Sequence, residues 1–368
     1  GRHEDSRQDY NALAQAIETN RRVNPPRPEQ VAASLIDRHD AALATGQLDL
    51  ALSYIKLAPQ FFKTEMPEAV LLRLASTSRQ LAENLLASAS TGVGNEVDPA
   101  VRREASEHFR EGASFFQRRA RVLRPLPTED AAWAQSLWNA ADCYDMAGYY
   151  DFAIDLFKEY IDGRGEEDPV RVEAKFRLAR CYQASADYDQ AVKHYEEVIA
   201  ENPRSVLAAR SYVPLAASLI ALGRTGDAEL QLQRVISGSV GLEPDAIEFA
   251  DALLSLGTLH HRGGQFVKAI EHLDRFAASY PNDARLSEAL YRLADSHRLL
   301  AAEINQQITQ NNLPRSHAED LAARRAQHLQ AAESRFAVVQ ERYETRGVAR
   351  LDQYQQDQLR NALLYRGD

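Results

Sequence analysis

The chain has 368 residues, 45% of them hydrophobic and 26% charged, and its formal net charge at pH 7 is -10. These values exclude a disordered chain and a membrane protein, and the negative charge disfavours nucleic acid as the main partner. Two cysteines, Cys143 and Cys181, are too few for a disulfide framework or a cysteine-based metal site, so we expect no cofactor. Ala, Leu, Arg, Glu and Gln dominate while Val, Ile and Thr are sparse, which favours an all-α fold.

The amino-terminal residues 1–28 are predicted to form a helix followed by a proline-rich linker. A short helix is expected around 8–20, and NPPRP at 24–28 is typical of a stiff, extended connection. We expect residues 29–368 to form a single continuous solenoid of about seven repeats. Because 362–368 resembles 136–142, the last repeat is predicted to be truncated.

The segment from Arg102 to Arg124 is rich in arginine. It contains seven arginines and three glutamates. A solvated helix face is the common reason for such a run, and a local site for an anionic partner is the alternative. The sequence leaves both interpretations open.

A pattern of two amphipathic helices joined by a tight turn occurs four times in succession. In the first copy, 131–165, apolar residues follow helical spacing, pause at the turn and resume at Ala153. The second copy spans 169–203, and two further copies follow it. The turns of the first, third and fourth copies carry Gly148, Gly223 and Gly264.

Each copy has a small residue midway along its first helix and another that opens its second helix. Small side chains let two helices approach closely, while large ones fill the remaining volume. The first-helix residues are Ala141, Ala179, Ala216 and Gly257. The second-helix position continues beyond the four copies and reads Ala51, Ala113, Ala153, Ala191, Ala228, Ala269 and Ala332. Most neighbours in this series are about 40 residues apart, and two intervals of about 60 residues indicate two stretched repeats.

Both stretched repeats have a long first helix followed by a polar linker. The segments 72–82 and 291–301 align at an offset of 219 residues, which is also the offset from Ala113 to Ala332. This match predicts a duplicated long helical hairpin. Chance similarity between alanine-rich amphipathic helices is the alternative.

Small, aromatic and turn residues coincide in four consecutive copies, and in this the sequence resembles the tetratricopeptide repeat family. The resemblance implies a right-handed superhelical α-solenoid of antiparallel helix pairs. It also implies that partners lie along a concave face lined by the first helices. The apolar stripe expected on that face consists of Trp138, Phe176, Val213, Leu254 and Tyr291. Its polar neighbours are Asn139, Asp142, Arg177, Arg180, Asp251, Thr258, Arg292 and Asp295.

An apolar stripe with alternating charges suits an extended or helical peptide, because apolar area gives affinity and charges fix the register. The alternative is that the five apolar residues only extend the contact between repeats. We expect pairs such as Asp142 and Asp145 to be surface carboxylates. His260 is expected to be a packing residue, because Tyr144 and Tyr182 occupy its position in other copies.

The segments 188–203 and 289–294, in slightly long repeats, resemble bacterial envelope proteins such as the Tol-Pal coordinator and the lipoprotein of the outer-membrane assembly machine. This resemblance favours the envelope or periplasm over the cytoplasm. The sequence predicts a non-catalytic scaffold, not an enzyme, that binds a protein or peptide partner. The alternative is a substrate-selecting or regulatory segment of a larger protein whose catalytic or membrane module lies elsewhere. The oligomeric state is left open.

Overall fold

The computed structural model describes residues 2–19, 26–62, 65–89, 97–124, 127–243, 245–310 and 313–365. These residues form α-helices and three short 3-10 helices, with no strand among them. The prediction of an all-α fold built from consecutive helix pairs is confirmed. Two compact units follow one another along the chain, residues 1–194 and 195–368. The expected boundary at residue 28 and the single solenoid over 29–368 stay predictions.

The first unit is a succession of helices, and from α2 to α8 each helix packs against the next. Short connections make such neighbours antiparallel. The helices are α1 (Arg2–Glu18), α2 (Pro28–Ala44), α3 (Leu48–Ile55), α4 (Glu68–Ala89), α5 (Pro99–Leu123), α6 (Asp130–Met146), α7 (Tyr150–Gly163) and α8 (Pro169–Ala184). Helix α9 (Tyr188–Glu201) contains the boundary between the two units.

The second unit continues the same arrangement of consecutive helices. Its helices are α10 (Val206–Ala221), α11 (Thr225–Ile236), α12 (Ile247–Arg262), α13 (Phe266–Ser279), α14 (Leu286–Gln310), α15 (Arg315–Arg346) and α16 (Gln353–Tyr365). The 3-10 helices of the chain are Ala58–Phe61, Pro127–Glu129 and Val348–Arg350. Residues 366–368, part of the predicted truncated repeat, lie outside the described residues.

The four sequence copies are the hairpins α6–α7, α8–α9, α10–α11 and α12–α13, as predicted. Their turns need a residue in the left-handed backbone region, which glycine adopts without steric cost. Gly148, Gly223 and Gly264 supply it with φ values of +78°, +76° and +70°. In the second copy Ala186 takes the same conformation with φ +63°.

The small residues at the second-helix position are all buried, in agreement with a role in close helix packing. The prediction that Ala113 and Ala332 open their helices is wrong, because α5 and α15 begin well before them. Two start signals fix the beginning of α5. The Asp98 carboxylate accepts the Ala100 backbone N–H at 2.8 Å, and Pro99 occupies the first turn.

Helix α1 is part of the first unit's core. Tyr10, Leu13 and Ile17 pack against a buried cluster that includes Leu35 and Leu74. The Tyr10 hydroxyl also shares a 2.7 Å hydrogen bond with the Ser34 hydroxyl of α2. The amino-terminal helix spans 2–18, whereas the sequence predicted a helix around 8–20. Residues 24 and 25 of the predicted linker 24–28 lie outside the described residues.

Candidate functional site

Ion pairs join the first helices α4, α6 and α8 in the first unit. Asp142 Oδ2 accepts from Arg79 Nη2 at 2.8 Å, and Asp142 Oδ1 accepts from Arg177 Nη2 at 2.9 Å. Arg177 Nη1 also donates to Asp145 Oδ2 at 3.0 Å. The expectation of surface carboxylates is wrong, since Asp142 and Asp145 are only 6% and 9% exposed. Burial is tolerated because arginines on the neighbouring helices neutralise both carboxylates.

The two residues of the predicted apolar stripe that lie in the first unit, Trp138 and Phe176, have different surroundings. The half-buried Trp138 ring lies edge-on to Phe157 and Tyr160 of α7, with centroids 5.6 and 5.7 Å away. Trp138 therefore packs inside its own hairpin. Phe176 is half-buried on α8, and Arg180 is exposed.

Asn139 belongs to the same polar network as Asp142. Its Oδ1 accepts from Arg79 Nη1 at 3.2 Å and from Gln135 Nε2 at 3.1 Å. Arg79 precedes Asn139 by 60 residues and was not among the polar neighbours predicted from the sequence. Of the polar residues predicted here to meet a partner, Asn139, Asp142 and Arg177 are engaged within the protein.

The two cysteines lie next to this network and are buried and free. Burial raises the pKa of the Cys143 thiol to about 12. Burial, followed by the nearby Asp145 carboxylate, raises the pKa of Cys181 as well. Because the thiolate is the reactive form, neither cysteine suits nucleophilic chemistry near neutral pH.

The first helices α10, α12 and α14 of the second unit line a groove of about 270 Å³. Its apolar lining comes from α10 and α12, and its charged lining comes from α12 and α14. The lining residues are Ile220, Leu254, Ser255, Thr258, Leu259, Arg262, Glu288 and Arg292. The sequence predicted Leu254, Thr258 and Arg292, and the structure brings these three together in one groove.

The two arginines of the groove differ in their surroundings. Arg292 Nη2 lies 2.6 Å from Glu288 Oε1 and 3.3 Å from the Tyr354 hydroxyl. Arg262 is exposed and has no ion pair within the described ranges. Arg262 was not among the residues predicted from the sequence. It follows Leu254 and Thr258 at intervals of four, a spacing that places all three residues on one helix face.

The predicted aspartates of the second unit are ion-paired. Asp251 Oδ1 accepts from Arg285 Nη1 at 2.5 Å. Asp295 Oδ1 accepts from Arg298 at 2.7 Å, and its Oδ2 lies 3.5 Å from His261 Nε2. Both carboxylates therefore already have cationic or imidazole neighbours.

The remaining predicted residues of the stripe are Tyr291 and Val213. The Tyr291 ring lies edge-on to Phe336 of α15 at 5.7 Å, and its hydroxyl accepts from Asn361 Nδ2 of α16 at 3.1 Å. Tyr291 thus packs among helices of its own unit. Val213 is half-buried on α10.

His260 is a packing residue, as predicted. It is buried, and its ring stacks on His272 of α13 with centroids 5.3 Å apart. Burial lowers the pKa of both histidines. Both are therefore neutral at pH 7.

No group of three or more His, Cys, Asp and Glu side chains in the described ranges is arranged to hold a metal ion. Among the helices that the structure describes, none combines the length and apolar character needed to cross a membrane.

A sequence model of the family described as tetratricopeptide repeat matches residues 173–205 and 251–283. These two segments are tetratricopeptide repeats. They correspond to the hairpins α8–α9 and α12–α13, so one tetratricopeptide repeat contributes α12 to the groove. Among curated proteins, no sequence match was found.

Several solved structures are similar to this chain at low identity. BtubC from P. vanneervenii is 19% identical with a TM-score of 0.42, and the match covers 66% of this chain and 91% of that one. PilF of Pseudomonas aeruginosa is 14% identical with a TM-score of 0.37, covering 71% and 97%. A Rap protein complexed with competence and sporulation factor is 15% identical with a TM-score of 0.37, covering 92% and 99%. Similarity at this level does not indicate a shared partner.

Proposed function

We propose that this protein is a non-catalytic scaffold that binds a protein or peptide segment in the groove between α10, α12 and α14. The observation that carries the proposal is the combination of aliphatic side chains with Arg262, a cation that has no ion pair among the described residues. Apolar contact supplies affinity, and a free cation can pair with a ligand carboxylate without breaking an existing ion pair.

The dimensions of the groove favour a peptide over a small-molecule cofactor. Its volume of about 270 Å³ is below the usual range for enclosed ligand pockets, about 300–1,000 Å³. It can take one or two apolar side chains of a longer segment that continues along the surface. We therefore expect a ligand with an aliphatic or aromatic anchor and a nearby carboxylate.

The ionisable groups beside the groove are paired within the protein, which favours a binding role for the groove over acid–base catalysis. The Asp295 carboxylate pairs with Arg298, and Glu288 pairs with Arg292. Burial lowers the pKa of His261, whose Nδ1 lies 3.0 Å from the Ser296 hydroxyl. A general base needs access to a substrate proton, and these groups are already hydrogen-bonded inside the protein.

The test is a selection of random dodecapeptides on the whole chain, followed by measurement of Kd for the best binders. Thr258→Lys combined with Arg262→Glu changes the size and the charge of the groove at partly or fully exposed positions. The control is Val267→Glu, an exposed position on the second helix α13.

We expect the double change to weaken the selected peptides at least tenfold, while Val267→Glu changes Kd less than twofold. Circular dichroism at matched concentration establishes that all three proteins are equally helical. Peptides that bind the double variant as tightly as the unchanged chain would remove this groove as the binding site.

A further inference from the structure

Three arginines form a straight line on the exposed side of α5. Arg103, Arg110 and Arg121 are separated by seven and eleven residues, which is close to two and three helical turns. They therefore share one face over about 27 Å. All three are exposed, and no ion pair joins any of them to a carboxylate in the part of the chain that the structure describes.

A group of exposed aromatic rings lies beside this arginine line. The Tyr144 ring stacks on Phe152 at 5.2 Å and lies 6.4 Å from Tyr149. Phe152 is 53% exposed and Tyr149 is 41% exposed, so much of their apolar area faces solvent. Exposed aromatic rings of this kind are enriched at protein interfaces.

Several contacts hold helix α5 against the hairpin α6–α7, which carries the rings. The Ser106 hydroxyl donates to the Ala147 carbonyl at 2.8 Å, which ties α5 to the turn between α6 and α7. Arg124 Nη1 pairs with Glu159 Oε1 of α7 at 2.6 Å. Arg103 lines the same cavity as Ala147, Gly148 and Tyr150 of the turn between α6 and α7. Burial raises the pKa of Tyr144, and the charges of Arg110 and Arg121 oppose that rise.

The hairpin fold itself does not need these arginines. At the offset of 219 residues, the matching positions on the long helix α15 are Ala322, Leu329 and Gln340. Helix α15 packs against α14 as α5 packs against α4, without this line of charge. The packing of a long hairpin therefore does not require these arginines.

Acidic residues around the arginine line indicate which class of anionic partner the surface can bind. Glu104 and Glu107 are exposed on α5, and Asp151 and Asp155 are exposed on α7. These carboxylates interrupt the positive surface, and the whole chain carries a charge of -10. Nucleic acid needs a broad and continuous basic surface. A short acidic segment needs only a narrow one.

We propose that Arg103, Arg110 and Arg121, together with the exposed rings of Tyr149 and Phe152, form a second docking surface for a short acidic peptide segment that carries an aromatic residue. Carboxylates of the segment pair with the arginines, and its ring packs against the exposed aromatic group. This surface lies wholly in the first unit, whereas the groove of the proposed function lies in the second unit.

The test uses an array of dodecapeptides in which the charge varies from strongly acidic to strongly basic while each peptide keeps one tryptophan. The variant is Arg103→Gln, Arg110→Gln and Arg121→Gln together. The control is Arg224→Gln, Arg315→Gln and Arg360→Gln together, which changes the net charge equally at arginines in the second unit. An oligothymidine and phosphatidylserine vesicles serve as competing anionic probes.

We expect binding to increase with the negative charge of the peptide and to fall at higher salt. The α5 variant should bind the acidic peptides about tenfold more weakly, and the control less than twofold more weakly. Phe152→Ala should weaken the tryptophan peptides but not their alanine versions. The proposal fails if no charge dependence exists, if the control loses as much affinity as the variant, or if an oligonucleotide or vesicle binds α5 more tightly than every peptide. Failure here leaves the groove proposal intact, since the Arg262→Glu change does not touch this surface.

Discussion

The two long hairpins, α4–α5 and α14–α15, share the same small buried residues but fill the space between their helices differently. Ala75 and Ala113 in the first hairpin match Ala294 and Ala332 in the second, and all four are buried. The aligned positions therefore have the same packing role in both hairpins. Whether the hairpins arose by duplication stays a prediction.

The difference lies at one pair of matched positions. Ser78 and Phe109 are buried in the first hairpin, and His297 and His328 take their places in the second. The two histidines share a hydrogen bond between their Nδ1 atoms at 2.9 Å. A neutral imidazole can donate or accept at this atom, so one donates and the other accepts. The same helical arrangement thus accepts either a phenyl ring with a hydroxyl or two imidazoles, and only the second pair responds to pH.

The first hairpin is also more closely packed than the second at another matched position, Gly112. A Cβ on Gly112 would lie 3.0 Å from the Ala75 carbonyl oxygen and 3.4 Å from the Arg79 nitrogen, both backbone atoms. The matching residue of α15 is Ala331, so the second hairpin already accepts a side chain there. The helices α4 and α5 are therefore predicted to tolerate less volume at this position.

The largest effect is expected for Gly112→Leu. Its side chain meets backbone that cannot move away without separating the helices, and we expect a loss of about 3 kcal/mol in the free energy of unfolding. The matched control Ala331→Leu should cost less than about 1 kcal/mol. Urea unfolding followed by circular dichroism measures both, and equal losses would contradict the difference in packing.

Acid should destabilise the hairpin that contains the histidine pair. Burial lowers the pKa of His297 to about 4, with Arg335 and His328 acting in the same direction and Asp274 opposing them. Burial also lowers the pKa of His328. The unfolded chain binds a proton at His297 from about pH 6.5 downwards, whereas the folded chain does so only near pH 4. Stability should therefore fall as the pH drops through this window, by about 2 kcal/mol between pH 7.5 and 5.

The matched change for this second prediction is His297→Ser together with His328→Phe, which copies the first hairpin. We expect this variant to lose about 2 kcal/mol less than the unchanged chain between the two pH values. Urea midpoints at pH 7.5 and pH 5 provide the comparison. An equal loss in both proteins would show that other groups cause the acid response.

The smallest effect is expected at Ser78, the position that matches His297. Its hydroxyl is buried and has no hydrogen-bond partner among the described residues. Ser78→Ala removes that unsatisfied group and should stabilise the protein by about 1 kcal/mol. Thr77→Ala is the neighbouring control, because the Thr77 hydroxyl is hydrogen-bonded to His39 Nε2 at 2.8 Å, and its loss should destabilise. A destabilised Ser78→Ala protein would contradict the assignment of an unsatisfied hydroxyl.

Local sequence signals were enough to predict the helix pairs. Turn glycines such as Gly148 and the series of buried alanines depend on backbone geometry and close packing, which a repeat must keep. The start of α5 was predicted wrongly, because the alanine series was used to place it at Ala113. Asp98 and Pro99 are the helix-start signal that this prediction did not use. A capping aspartate before a proline is the more direct indication of a helix start.

The candidate site was only partly predictable. Leu254 and Thr258 were found because one helix period places them on one face. The burial of Asp142 was not predicted, because its partners Arg79 and Arg177 come from other helices. One sequence does not show which distant charges meet. The packing of Trp138 inside its hairpin likewise depends on the position of α7.

The double pairing of Asp142 has a consequence for how this chain can be shortened or rearranged. One carboxylate accepts from Arg79 before it and from Arg177 after it, so the α6–α7 hairpin neutralises a cation on each side. Excising that hairpin in frame would remove the buried Asp142 carboxylate and leave Arg79 and Arg177 paired only with Glu83 and Glu173 of their own helices, even if the flanking helices closed the gap. The hairpins of the first unit are therefore not interchangeable modules, and a library of shuffled repeats should give its most stable chains when α4, α6 and α8 stay in their native order.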